Sequence, residues 1–360
     1  MKNRVYNFSS GPAMLPESVL LKAQAELVNH HESGQSVMEM SHRSSSYESI
    51  HFKVEKDLRR ILNIPENYEV LFLQGGASLQ FHMIPLNLLK PNEKAGFLIS
   101  GQWAQKAYEG CSEIREAVDL SSTKDINFTR IPKIPSDLSA YTYVHYVSNN
   151  TIYGTRVETC PPFEHPIVVA DMSSDILSRE IDVSKHGIIF AGAQKNMGIA
   201  GLTVVMIRKD LMGRSDQKIP TYLNFVTHQK NQSLYNTAPT FPIYMAGLVL
   251  EWIDEMGGLK QVEKNNALKA QKLYDYLDAS HFYECTANRE NRSWMNITFK
   301  CPSEALDAEL IKMCQERGLV NLKGYRTVGG LRASIYNAMP MAGIDALISV
   351  LKEFKERQHV

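Results

Sequence analysis

The chain reads as an α/β protein: a large domain built on a mostly parallel sheet covered by helices, followed by a smaller C-terminal α/β domain. Three observations predict this. From about residue 69 short apolar runs rich in Val, Ile, Phe or Tyr recur, each four to six residues long, with helix-like segments between them. The runs are continuous rather than alternating, the pattern of strands buried on both faces. Past Gly257-Gly258 the rhythm changes to a smaller set of strands and helices.

The elements follow in order. EVLFL (69–73) ends in the tight turn QGGAS, and a helix runs on through SLQFHMIPLNLL (78–89). AGFLIS (95–100), TYVHYV (142–147), PIVVAD (166–171), GIIFAGA (187–193) and LTVVMI (202–207) supply further strands. Residues 242–280 are strongly helical, and Gly257-Gly258 breaks them into two long helices. SWMNITF (293–299), a helix over 303–317, LRASIY (331–336) and a closing helix over 340–357 form the second unit. The expected division is an N-terminal arm over 1–15, a large domain over 16–258 and a small domain over 259–360.

Composition excludes several function classes. Lysine plus arginine equals aspartate plus glutamate, 39 each, and no run of like charge occurs, so nucleic acid is not an expected partner. The five cysteines are odd in number, scattered and without a C-x-x-C pair, which points to reduced thiols in a cytoplasmic setting. No apolar stretch suits a signal peptide or a membrane span. Neither G-x-x-x-x-G-K-[ST] nor G-x-G-x-x-G nor H-E-x-x-H occurs, and no histidine cluster has metal-ligand spacing, so no metal is expected.

The unusual residues fall at strand ends, where open α/β sheets gather ligands. Gly75, Gly76, Ala77 and Ser78 follow VLFL; Trp103 comes three residues after FLIS; Ser148 to Thr151 follow YVHYV. Asp171 ends PIVVAD, and Lys195 follows GIIFAGA. Singly each has an ordinary explanation: a glycine pair punctuates turns, and an aspartate after a strand caps helices. Jointly they offer an anion-binding turn, an aromatic plate, a hydroxyl, a carboxylate and an amine. A glycine turn opening a helix suits a phosphate. A buried carboxylate can keep a ring nitrogen protonated, and a lysine removed from water can attack a carbonyl. Pyridoxal phosphate needs this combination.

Nine ordered blocks then make the chain similar, over essentially its whole length, to the phosphoserine aminotransferases of the class V, fold-type I pyridoxal-phosphate group. They are NFSSGPAMLP, VMEMSHRS, FLQGGASLQF, GQWA, SNNTIYGT, ADMSSDILSR, AGAQKNMG, NTAPT and GGLRASIYNA. The resemblance implies that family's seven-stranded-type sheet and a homodimer with shared active sites. It implies Lys195 as the Schiff-base lysine and proton shuttle, and Asp171 as partner of the ring nitrogen. Trp103 would stack on the ring and Thr151 contact its hydroxyl side. Ala77, Ser78 and Gln194 would hold the phosphate, with Asn236 and Thr237 reaching it from the neighbouring subunit. Ser10 and Arg332 would bind substrate, Arg332 at its α-carboxylate, while His42, Arg43 and Arg326 would receive the distal anion. The implied reaction exchanges the amino group between L-glutamate and 3-phosphohydroxypyruvate, giving O-phospho-L-serine and 2-oxoglutarate.

Two departures bear on substrate preference. Where the family commonly has histidine before the arginine of KGYRTVGG, this chain has Tyr325; and Ala77-Ser78 stands where some members carry an arginine. A phenol donates one hydrogen bond to phosphate but brings no positive charge. The competing expectations are a related class V enzyme acting on 4-phosphohydroxy-L-threonine or another acidic amino acid, a nicotinamide-dependent dehydrogenase, and a non-catalytic protein.

Overall fold

The computed structural model describes residues 4–215 and 217–358. Residues 1–3, 359 and 360, the outer ends of the expected arm and small domain, lie outside the described residues.

Before the sheet begins the chain forms α1 (Glu17–Glu26) and α2 (Ser45–Ile61), a stretch that the apolar-run pattern leaves unassigned. The signal for α2 is there: the Ser44 hydroxyl accepts from Tyr47 N–H at 3.3 Å, and buried Tyr47, Ile50, His51, Val54 and Leu58 recur at helical spacing.

The large sheet contains β1 (Tyr68–Leu73), β2 (Lys94–Ile99), β3 (Glu116–Ser122), β4 (Tyr143–Val147), β5 (Val168–Asp171), β6 (Ile188–Gly192) and β7 (Thr203–Arg208). Its spatial order is β1-β7-β6-β5-β4-β2-β3. Only β7 runs antiparallel, to β1 and β6; the other pairs are parallel. The expected mostly parallel, seven-stranded α/β architecture is what the chain adopts. The strand not anticipated, β3, lies at the sheet edge, where EAVDLSS mixes charged with apolar residues and stays half-exposed.

Both faces of the sheet are covered. Val144, Tyr146, Ala170, Ile189 and Val204 belong to one core, and their chain neighbours Tyr143, Val169, Ile188, Phe190 and Val205 belong to another on the opposite face. That double burial is why these strands are apolar at nearly every position, with His145 in β4, Asp171 at the end of β5 and Thr203 at the start of β7 the buried polar residues. Burying each large side chain contributes about 1.5–3 kcal/mol. Helix α3 (Gly76–Leu88) leaves β1 directly, and α4 (Gln102–Ser112) leaves β2.

Beyond β7 come α5 (Phe225–Lys230), α6 (Thr240–Glu255) and α7 (Gly258–Ser280). The α6–α7 break falls at the glycine pair, with Gly257 at φ +97° and Gly258 at φ +78°, a left-handed geometry that glycine adopts freely. The antiparallel sheet β8 (Glu284–Cys285), β9 (Asn296–Lys300) and β10 (Leu331–Ser334) then packs with α8 (Glu304–Glu316) and α9 (Met341–Arg357). A third core runs from Ala270 to Phe354 and takes in Phe8 from the amino-terminal segment, whose Tyr6–Asn7 pairs in parallel with Leu319–Val320. Among the described residues no helix is long and apolar enough to cross a membrane.

Candidate active site

Because β7 alone is reversed, the carboxyl ends of β1, β2, β4, β5 and β6 open at one edge of the sheet. The chain goes outward from β2 to β3 and then returns to β4 on the other side of β2. Such a reversal leaves a crevice at that edge. A cavity of about 400 Å³ lies there, lined by Trp103, Thr151, Asp171, Gln194 and Lys195. Ser10 from the amino-terminal segment and Ala77 and Ser78 from the start of α3 line it too.

Asp171 ends β5 and is 6 % exposed. Its Oδ1 accepts from Ser173 N–H at 2.9 Å, and Ser173 Oγ accepts from Gly192 N–H at 3.0 Å, which ties the ends of β5 and β6 together. Burial pushes the Asp171 carboxyl above its usual range, while the Lys195 ammonium and the Ser173 bonds oppose that rise. Lys195, just past β6, is partly buried. Burial lowers its ammonium below the usual lysine value; Asp171 opposes the shift, and Arg332 adds to it. The two groups sustain each other's charge in a site that disfavours either alone.

Lys195 is held from outside by the amino-terminal segment. A Cβ built on Gly11 would lie 3.6 Å from both Cγ and Cε of Lys195, so the backbone there packs along the lysine stem. Ala13 N–H donates to the Gln194 carbonyl at 2.9 Å, and Tyr336 Oη–H donates to the Ser10 carbonyl at 2.8 Å. Lys195 Nζ stands 5.9 Å from the centroid of the Trp103 ring, whose Nε1–H donates to Thr151 Oγ1 at 3.1 Å. At the β1 end Gly75 takes φ +91°, and a Cβ there would come within 2.6 Å of Leu79. Only glycine makes that turn, and the first-turn N–H groups of α3 that follow it have no intrahelical acceptor.

Arg332, on β10, reaches the same region: Nη1 donates to the Thr151 carbonyl at 3.1 Å, while buried Nε has no partner among the described residues. Burial lowers the guanidinium from its usual value, with Tyr336 and Tyr325 acting against that.

Six expected site residues do not line the cavity in this single chain, Arg332 and five others. Arg43, Asn236, Thr237 and Arg326 are exposed, and His42 is partly buried with Nε2 unpartnered among the described residues. Arg326 sits on the turn where Val328 N–H and Gly329 N–H both donate to the Tyr325 carbonyl at 2.9 Å.

Further buried polar residues, which the strand ends do not single out, support the site. Asn149 Nδ2 donates to Ser174 Oγ and Asn296 Oδ1, each at 2.8 Å, which fixes the loop carrying Thr151. Asn337 N–H donates to Asn196 Oδ1 at 3.0 Å, next to Lys195. Lys269, buried in α7, donates to the carbonyls of Ile335, Tyr336 and Met339 at 3.2, 2.8 and 3.0 Å. The available signal was the density of small polar residues after buried strands, in SNNT and DMSSD; nothing local marked Asn337 or Lys269.

The family model for Aminotransferase class-V matches residues 5–347. A phosphoserine aminotransferase of Bacillus cereus is 51% identical over 354 residues, covering 98% of each chain. The solved phosphoserine aminotransferase from Bacillus circulans subsp. alkalophilus superposes with a TM-score of 0.96 at 45% identity over 99% of both chains. A pyridoxal-phosphate-bound phosphoserine aminotransferase from Trichomonas vaginalis gives 0.93 at 37% identity, covering 97% of this chain and 100% of that one. By that match and those identities over nearly its full length, the chain belongs to the class-V aminotransferase family, in the branch of the phosphoserine aminotransferases.

Proposed function

We propose that the chain transfers the amino group between L-glutamate and 3-phosphohydroxypyruvate, giving O-phospho-L-serine and 2-oxoglutarate, with pyridoxal 5′-phosphate as cofactor. The observation that carries this reading is the cavity that gathers the Lys195 amine, the Asp171 carboxylate and the Trp103–Thr151 pair at neighbouring strand ends.

The residues present fit the cofactor. The first turn of α3, with Ala77 and Ser78, offers backbone N–H groups and a positive dipole end to its phosphate, and Gln194 lies on the same cavity wall. Trp103, its indole N–H engaged by Thr151, offers a flat face for the ring, and Asp171 offers an anion for the ring nitrogen. When bound, pyridoxal phosphate supplies a reactive aldehyde and an electron-withdrawing ring.

The chain's own groups do the rest. Lys195 Nζ, whose ammonium burial makes easier to deprotonate, serves as nucleophile and then carries the proton to and from the substrate α-carbon. Asp171, whose charged form Lys195 and then Ser173 favour against the upward push of burial, balances positive charge in the cavity. Arg332 receives the substrate α-carboxylate: its buried Nε is an unused donor in a planar fork that suits a carboxylate. Ser10 closes the cavity from the amino-terminal side. His42, Arg43 and Arg326 receive the distal carboxylate or phosphate.

A homodimer belongs to this proposal, with Asn236 and Thr237 completing the phosphate site of the neighbouring subunit. What supports it is exposed apolar surface beside the residues outside the cavity: Tyr235 is 42 % exposed next to Asn236, and Met38 is 54 % exposed four residues before His42. The division at Gly258 into large and small domains rests on the separate core over Ala270–Phe354, which the arm enters through Phe8. A cytoplasmic setting suits five cysteines that are all free.

The test is a steady-state assay of the holoenzyme with glutamate and 3-phosphohydroxypyruvate, 2-oxoglutarate being measured by a coupled dehydrogenase. Product formation that requires both substrates is expected. No turnover with this pair, alongside turnover of glutamate with a keto acid lacking phosphate, would overturn the substrate assignment.

A further inference from the structure

The turn after α1 brings together three metal-ligating side chains remote in role from the catalytic cavity. Glu26 ends α1, and His30 and His31 follow in a short 3-10 turn. One Glu26 carboxylate oxygen lies 3.6 Å from His30 Nε2 and the other 3.9 Å from His31 Nε2. One ligand atom from each residue can be chosen so that all three lie within 4.8 Å of one another. These separations are too long for hydrogen bonds. They approach the spacing of donors around a single ion: two ligands roughly 2.1 Å from a tetrahedral centre lie about 3.4 Å apart.

The surroundings hold this arrangement. Adjacent residues ordinarily send their side chains apart, which is why the sequence pattern leads to no metal expectation at His30-His31. Here His31 takes φ 45°, ψ 46°, and Glu32 follows at φ 60°. Left-handed geometry at a non-glycine residue costs about 1 kcal/mol or more. The turn is secured where Asn29 Oδ1 accepts from Gly34 N–H at 2.7 Å and His30 N–H donates to the Gln35 carbonyl at 3.1 Å. Tyr244 Oη–H donates to Glu26 Oε2 at 2.7 Å, and the Tyr244 ring stands edge-on to the His30 imidazole with centroids 5.4 Å apart. Metal-bound carboxylates characteristically carry such an outer hydrogen bond, which fixes their orientation. The nearby cations are already compensated: Lys22 and Lys53 both pair with Glu251, at 2.6 and 2.8 Å.

We propose that Glu26, His30 and His31 bind one divalent transition-metal ion per chain, Zn²⁺ being the type suited to two imidazoles and a carboxylate. His31, its side chain 69% exposed, leaves the ion open to water or to a ligand from outside. None of the three lines the catalytic cavity.

Calorimetric titration of Zn²⁺ into holoenzyme previously treated with chelator tests this. Saturable binding of about one ion per chain is expected, weakened at least tenfold by His30→Ala, His31→Ala and Glu26→Gln alike. Because His31 is exposed, His31→Ala leaves the packing intact and is the decisive variant. Absence of saturable binding to the wild-type chain overturns the proposal, and so does binding that His31→Ala leaves unchanged, since the ion then sits elsewhere.

Discussion

Lys195 and Asp171 share a cavity in which burial opposes the charge of each, and each is the other's main electrostatic support. That makes charge and nucleophilicity separable by substitution. Lys195→Arg keeps a cation opposite Asp171, but a guanidinium stays protonated at any working pH and cannot attack a carbonyl or take a proton. Turnover is therefore expected to vanish in Lys195→Arg as completely as in Lys195→Ala, with the folded state retained by circular dichroism. Wild-type turnover in the arginine variant would reduce the role of Lys195 to its charge. Asp171→Asn keeps the shape and can still accept from Ser173 N–H, yet removes the negative charge from the cavity. A kcat loss of roughly 10²- to 10³-fold is expected, the usual scale for one preorganised electrostatic group. An unchanged kcat would detach Asp171 from the chemistry.

How much of the molecule is legible in its sequence depends on the element. The strands buried on both faces announce themselves because nearly every position is apolar; edge strand β3 does not, because it is only partly buried along its length. Five strand ends single out Ser78, Trp103, Thr151, Asp171 and Lys195, and the fold delivers all five to one cavity, since β7 alone is reversed. Arg332 could not be placed that way: it sits on β10 of another sheet, and only tertiary packing brings its Nη1 to the Thr151 carbonyl. The same limit hides the clamp between the turn before β2 and the loop after β7. There the Arg214 guanidinium meets both Glu93 carboxylate oxygens at 2.6 and 2.8 Å, and Lys90 N–H adds a third bond at 2.9 Å. Arg214 holds the Glu93 carboxyl down from 4.5 to about 2. A carboxyl depressed by folding stabilises the native state fully above its unfolded value, and that share is lost as pH falls from about 4.5 to about 2. With both side chains about a quarter exposed, the contribution is roughly 1–3 kcal/mol after solvent screening. Glu93→Gln should lower stability by that amount at pH 7 and flatten acid unfolding between those pH values, as measured by denaturant titration. An acid profile identical to wild type would show that the clamp contributes nothing net.

On the scale of the whole molecule, the question is which chain supplies which half of a site. The single chain encloses Lys195 but leaves Asn236 and Thr237 exposed beside Tyr235, away from the cavity that would hold the phosphate. If two copies exchange these residues around a two-fold axis, two inactive variants can repair each other. Chains carrying Lys195→Ala lack the amine but keep Asn236 and Thr237; chains carrying Asn236→Ala with Thr237→Ala lack the phosphate contacts but keep the amine. Dissociated, mixed in equal amounts and reassembled, half of the dimers pair unlike chains, and each of these holds one site with every residue intact. Activity of about a quarter of the wild-type value is the expected result, well above either parent alone. If one chain furnished both groups to its own site, every site in the mixture would lack something. Activity would then stay at the average of the two parents. The outcome turns on geometry rather than on the strength of any one contact, so it decides between a shared and a self-contained site even where single substitutions only weaken turnover.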